Sequence, residues 1–304
     1  MNTARLNRPA WRKNGPWWMR RALGFGWDST APLRHLATTP RECVEAWRVA
    51  VWTATLCAVA GLLGVPHPSW SRRRATTLTR LVAALMARSR VRVRNTVYYV
   101  DTRRSELYTF QEVYEMGVYD RVASFVPRSG WLVVDVGANI GVFASRAAML
   151  GARVRAFEPN HGPYARLLQT MRANGLQVTA RPVAVGARRG WATLTGDEVS
   201  TTTGAIAPTG TGLRVPVVTL DEELADVPHV DLLKIDTEGG EADVLRGAIQ
   251  VLRRTTRVVA EYHSEALLAE IRSLLIAQGF KEIAAFGDGE TGILYAERPL
   301  DSGA

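Results

Sequence analysis

Residues 133–141 read VVDVGANIG, three valines around one acid, followed by a glycine turn. A helix is expected to follow the turn. Strand, tight turn and helix in this order form the unit that carries nucleotide cofactors. What the turn lacks narrows the choice. A pyrophosphate needs G-x-G-x-x-G so that backbone amides can approach it, but here Asn139 stands between Gly137 and Gly141 where the second glycine belongs. No Gly-Lys-Ser/Thr follows, which removes a P-loop.

A cofactor with positive charge and no phosphate suits the turn better, because acidic side chains around it are then an asset. S-adenosylmethionine has a sulfonium, an ammonium and one carboxylate. Asp135, at the end of its strand, is placed to hold the ammonium directly or through water, and the following helix N-terminus to receive the carboxylate. The next strand ends in RAFEPN and sets Glu158 17 residues beyond Gly141, where an acid accepts from both ribose hydroxyls. The expected cofactor-binding set is Asp135, Gly137, Asn139, Gly141, Glu158 and Asn160.

Working outward, apolar strand candidates alternate with helical patterns: WLVVDV, ARVRAFEP, QVTARPVAVG, VDLLKID, TRVVAEYH, then FKEIAAFG and TGILYAER. The alternation predicts an α/β fold with a mostly parallel sheet covered on both faces. Pro163 near a first turn and Gly175 as a stop bound one covering helix; Ser264 as N-cap and Gly279 as a stop bound another. The last two strands, joined through DGE, form a hairpin, so the final strand runs antiparallel to its neighbour. Between the third and fourth strands, a long Thr/Gly/Ser-rich stretch reads as a hairpin or lid over the substrate, with Ser200 and Thr201 as polar contacts.

In such a sheet the ligand lies beyond the carboxyl ends of the strands. KIDTEGGE and EYH end the fourth and fifth strands there. Methyl transfer requires alignment and a proton acceptor. The candidates are Asp236, Glu238, Glu261 and His263, with His263 or Asp236 as the acceptor; strand alternation points Glu261 and His263 to the same side. Glu241 and Asp243 belong to the next helix start, and a buried Lys234 needs an acidic partner, of which Asp236 is nearest in sequence. Asp236, Glu261 and His263 also make a possible divalent-cation set, which leaves the metal open.

Taken together, DVGANIG, FEP and KIDTEGGE at these intervals resemble the FkbM-type S-adenosylmethionine-dependent methyltransferases over roughly residues 95–297. The resemblance implies a class I methyltransferase (Rossmann-like) fold, seven strands ordered 3-2-1-4-5-7-6 with the seventh antiparallel, and O-methylation as the commonest activity. It does not cover residues 1–90.

That N-terminal part differs in charge. Residues 1–95 hold 17 of 38 basic and 3 of 29 acidic residues, +14, while the remainder carries −5. Seven of nine tryptophans lie there, a mixture suited to a membrane surface. Residues 49–65 are free of charged side chains before Pro66 and would span about 26 Å as a helix, short of the roughly 30 Å hydrocarbon core. A helix packed on the main domain, a membrane span and an interfacial helix all remain open. No zinc spacing or aromatic RNA-binding signature accompanies the basic charge, so nucleic acid is not expected. Cys43 and Cys57, without metal or disulfide spacing, fit a reducing cytoplasm.

The expected domains are a basic, Trp-rich helical extension over 1–90 and a methyltransferase domain over 91–304. The function is methylation of a hydroxyl on a small molecule, glycan, lipid-linked sugar or secondary metabolite. The alternatives are a cofactor-binding regulatory module without turnover and, less favoured by Asn139, a nicotinamide oxidoreductase. A cytoplasmic protein with membrane contact through its arm is the corresponding localisation.

Overall fold

The computed structural model describes residues 89–101, 106, 108–195, 205–207, 212–287 and 290–299. The arm, its apolar stretch at 49–65, and Ser200 and Thr201 lie outside the described residues. Among the described residues, no helix is long and apolar enough to cross a membrane.

The described chain opens with an antiparallel hairpin of β1 (Ser89–Val93) and β2 (Thr96–Val100). Its inward residues Val91, Val93, Tyr98 and Val100 are buried. A short helical stretch, Tyr108–Phe110, then runs into a π-helical turn at Gln111–Glu115.

The main sheet begins with β3 (Leu132–Val136), all of whose residues are buried. It continues through α1 (Val142–Met149), β4 (Arg153–Phe157), α2 (His161–Asn174) and β5 (Val178–Arg181). α2 starts where the Asn160 side chain accepts from Gly162 N, leaving one fewer orphan amide, and stops at left-handed Gly175, φ 63°. The β1–β2 hairpin is tied to α2 because Asn174 Oδ1 accepts from Val97 N at 2.8 Å and its Nδ2 donates to Val97 O at 2.7 Å.

The Thr/Gly/Ser-rich stretch enters a separate sheet. β6 (Ala184–Val185), β7 (Gly190–Thr195), β8 (Ala205–Ala207) and β9 (Leu213–Val218) pair in the order β6-β9-β7-β8. The main sheet resumes with β10 (Val230–Ile235), α3 (Glu241–Arg246), α4 (Ile249–Arg253), β11 (Thr255–Tyr262), α5 (Glu265–Ala277), β12 (Lys281–Gly287) and β13 (Gly292–Glu297). At α5 the Ser264 side chain accepts from Leu267 N, the cap its sequence predicts.

The seven strands lie in the order β5-β4-β3-β10-β11-β13-β12. Neighbours from β5 to β11 are parallel, whereas β13 runs antiparallel to both β11 and β12. Numbered along the chain within this sheet, the order is 3-2-1-4-5-7-6. Two apolar clusters cover its faces: one includes Val133, Leu232 and Val259, the other Val134, Leu233 and Ala260. Each fully buried Leu or Ile contributes about 1.5–3 kcal/mol, so the central strands are fixed firmly and their tips carry the site. Lys234 and Asp135 are exceptions to this apolar composition, and they stand side by side in register.

Candidate active site

The turn after β3 has a shape that its sequence alone only partly reveals. Gly137 has φ 78°, and a Cβ there would meet the Asp236 carbonyl oxygen at 1.7 Å. Gly141 has φ 82° and packs so tightly under α2 that a Cβ would stand 2.9 Å from Leu167 and Met171 side-chain atoms. Asn139, at the position a dinucleotide turn gives to glycine, also takes a left-handed conformation, φ 50°. Gly137 N and Ala138 N both donate to Phe157 O at 3.0 Å, which joins the turn to the tip of β4.

Glu158 sits directly beyond that tip. Its Oε2 accepts from Asn139 N at 2.8 Å and its Oε1 from Asn160 N at 2.7 Å. Each oxygen retains a lone pair, so the carboxylate can still take two hydroxyls. Burial pushes the Glu158 carboxyl up to about 7 despite these amides. Beside it, Asn139 Oδ1 is buried and without a hydrogen-bond partner. The N-cap of α1 is Gly141, which offers no side-chain cap; of the first amides, that of Ala144 lies against Asp135, and those before it are open to an anion. A ribose diol and an amino-acid carboxylate fit this donor and acceptor set.

Asp135 stands differently from the sequence expectation. Both of its oxygens are shielded from solvent, and neither finds a well-aligned hydrogen-bond donor. Its neighbour is Lys234, whose Nζ lies 3.1 Å from Asp135 Oδ1, 3.3 Å from Asp236 Oδ2 and 2.9 Å from Gly137 O. Lys234 is 3% exposed. Burial opposes its charge, but the two aspartates more than offset that and raise its pKa. The acid nearest in sequence is thus a partner, and parallel-strand register adds Asp135.

Asp236 lies just beyond β10 and is the meeting point. Tyr119 Oη donates to Asp236 Oδ2 at 2.8 Å, while the Tyr119 ring stacks edge-on to Phe143 of α1. Burial and then the Asp236 charge hold the Tyr119 phenol far above its ordinary pKa, so it stays a donor. For Asp236 itself, burial is outweighed, chiefly by Lys234, and its carboxyl is held below the usual range.

Glu261 is pushed up to about 11 by burial and then by Asp236, so this second acid holds its proton. His263 Nε2 lies 3.2 Å from Glu238 Oε2 and 3.8 Å from Glu261 Oε1, and its Nδ1 lies 3.7 Å from Glu241 Oε1. Burial disfavours the imidazolium, but Glu238, Glu241 and Asp236 outweigh it and raise the His263 pKa. Of the two candidate proton acceptors, Asp236 is held towards its ionised form by Lys234 and Tyr119, and the acids around His263 favour its charged form.

Glu238 has φ 58°, a conformation that costs a non-glycine residue roughly 1–2 kcal/mol. The turn is held from beneath by fully buried Glu241, which accepts from Thr237 N at 2.9 Å and Gly239 N at 3.1 Å. Asp243, by contrast, makes a 2.7 Å surface pair with Arg246. The structure thus brings Asp236, Glu238, Glu261 and His263 together. It adds Tyr119, for which the sequence offers no signal: it precedes the glycine motif and reaches the site only through the fold.

The chain is similar to known methyltransferases. Residues 135–282 match the methyltransferase FkbM domain. Hexuronic acid methyltransferase AglP of Haloferax volcanii is 32% identical over 151 residues, 46% of this chain and 59% of that protein. 31-O-demethyl-FK506 methyltransferase FkbM of Streptomyces tacrolimicus is 31% identical over 199 residues, 52% of this chain and 75% of that protein. Among solved structures, Aeropyrum pernix fibrillarin with bound S-adenosyl-L-methionine aligns with a TM-score of 0.41 and 16% identity, covering 69% of this chain and 82% of that one. The chain belongs to the FkbM methyltransferase family.

Proposed function

We propose that the protein is an S-adenosylmethionine-dependent O-methyltransferase whose acceptor is a hydroxyl on a sugar, glycan, lipid-linked or secondary-metabolite substrate. The observation that carries this reading is the contact between the two ends of the site: the glycine turn beside Glu158 rests on the backbone of Asp236, the ionised acid. The relatives support it, since one is named for a hexuronic acid and the other for the 31-O position of FK506.

The methyl donor supplies an electrophilic carbon on a sulfonium. Glu158 and Asn139 would receive its ribose hydroxyls, and the start of α1 its carboxylate. At the other end Asp236 would take the acceptor's hydroxyl proton as the methyl group passes from sulfur to that oxygen. Lys234 and Tyr119 keep the Asp236 carboxylate charged and oriented, while protonated Glu261, and a His263 whose charged form the surrounding acids favour, limit repulsion from the other acids. Such general-base help is worth about 10²–10⁴-fold in rate.

A divalent ion is the second reading of the same groups, because one ligand atom each from Asp236, Glu261 and His263 lie within 4.8 Å of one another. Lys234 already neutralises Asp236, so the proposal assigns the proton to Asp236 without a metal. Methyl transfer that persists in EDTA fits this; transfer abolished by EDTA and restored by magnesium supports the metal instead.

The donor is tested by calorimetry with S-adenosylhomocysteine and with NAD. Binding of the first alone is expected; binding of NAD alone would overturn the proposal. The basic, Trp-rich arm is assigned to a membrane surface. Deletion of residues 1–75 should preserve S-adenosylhomocysteine binding and reduce partitioning onto vesicles, and equal partitioning would contradict the assignment.

A further inference from the structure

We infer that Lys234 is a positioning residue for the methyl donor: its buried ammonium holds the carbonyl of the cofactor turn and ties that turn to the acid at the acceptor end. The inference rests on the methyl-transfer reading and deepens it.

A buried lysine needs compensation, and one carboxylate would supply it. Lys234 has more than that. Its Nζ lies 3.1 Å from Asp135 Oδ1 on the neighbouring strand and 3.3 Å from Asp236 Oδ2 two residues on, and it donates to Gly137 O in the turn at 2.9 Å. The Tyr119 ring lies against it at 5.3 Å from Nζ to centroid. The third bond is the informative one, since neutralising Lys234 does not require a backbone carbonyl from the cofactor loop.

Gly137 is otherwise held by its N–H to Phe157 O and by the Asp236 backbone packed against its Cα. Lys234 holds the carbonyl of the next peptide, whose Ala138 N–H also donates to Phe157 O. With all three in place, Asn139 N is aimed at Glu158 and Glu158 is aimed at the ribose. Losing the ammonium would let the Gly137 peptide rotate, and that carries Asn139 away from Glu158. Asp135, shielded from the pocket, then acts on the donor through Lys234.

The test uses the full chain and S-adenosylhomocysteine as the probe, with calorimetric affinity, melting temperature and amide exchange over residues 137–141. Wild type should bind; if it does not, the methyl-donor reading fails and not this inference. Lys234→Met should bind at least about tenfold more weakly, the cost of one charge-assisted hydrogen bond, with faster exchange confined to the turn. Equal affinity and exchange would overturn the inference.

If Lys234→Met does not fold, Asp135→Asn is compared with Asp135→Asn/Lys234→Met, in which the lost ammonium no longer strands Asp135. A further tenfold loss of affinity in the double variant, with an unchanged melting temperature, supports positioning. Equal affinities in those two variants would show that Lys234 only neutralises its neighbour, and would overturn it.

Discussion

Gly137 and Asp236 touch through backbone alone: the carbonyl oxygen of Asp236 occupies the space that a side chain at Gly137 would need, 1.7 Å from an ideal Cβ. The donor turn and the acceptor acid are therefore parts of one rigid unit. Gly137→Ala must both adopt φ 78° and push β10 aside. It should cost more than about 2 kcal/mol, whereas Gly117→Ala, at φ 55° with open space around it, should cost only the conformational part, about 1 kcal/mol. Chemical denaturation of both variants checks this, and equal losses would refute the contact.

Under the proposed function, Glu158 should set the pH dependence of donor binding. Its folded carboxyl lies near 7, above the ordinary 4.5, so folding without ligand takes up a proton between these values and stability falls as pH rises through that window. A ribose diol needs the ionised form as a double acceptor. S-adenosylhomocysteine affinity should therefore weaken below pH 7, by up to about tenfold per unit, and level off above it. Glu158→Gln should be weak at every pH. Calorimetry from pH 5.5 to 8 decides, and a flat wild-type profile would contradict the assignment.

Glu261 should behave as a neutral acid. Burial and Asp236 push its carboxyl to about 11, so folding takes up a proton once pH exceeds 4.5, and this group's stabilising contribution is lost as pH rises towards 11. Gln mimics the protonated acid. Glu261→Gln should leave stability near pH 7 unchanged or increased, and should flatten the alkaline decline, which for one proton is about 1.4 kcal/mol per unit. Urea denaturation at pH 6, 8 and 9.5 measures it; identical slopes for the two proteins would count against the assignment.

Tyr119→Phe removes the hydroxyl that donates to Asp236 and little else, because the ring keeps its place against Phe143. A lost hydrogen bond to a charged group predicts about 1.5–3 kcal/mol of stability. S-adenosylhomocysteine affinity should stay at the wild-type level while methyl transfer falls. A fall in affinity equal to the fall in turnover would place Tyr119 in the donor site.

Much of this site was legible in local sequence. VVDVGANIG fixes strand, turn and helix because Gly137, Asn139 and Gly141 all take positive φ, and the period-2 pattern of EYH sets Glu261 and His263 toward each other. The closing hairpin follows from DGE between two apolar runs. What stayed hidden depends on register and distance. Lys234 meets Asp135 because β10 lies beside β3 in one particular register. Tyr119 reaches Asp236 across 117 residues of chain. The Thr/Gly-rich stretch, expected as a hairpin or lid, supplies two strands of a second sheet, in which Leu213–Val218 pairs on both edges. The shielding of Asp135 also could not be read from its position before the turn.

The most direct measurement is transfer of a methyl label from S-adenosylmethionine into extract-derived hydroxyl acceptors by wild type and by Asp236→Asn. Labelled ether product is expected from wild type, and at least about a hundredfold less from Asp236→Asn with S-adenosylhomocysteine binding retained. Undiminished transfer by Asp236→Asn would contradict it.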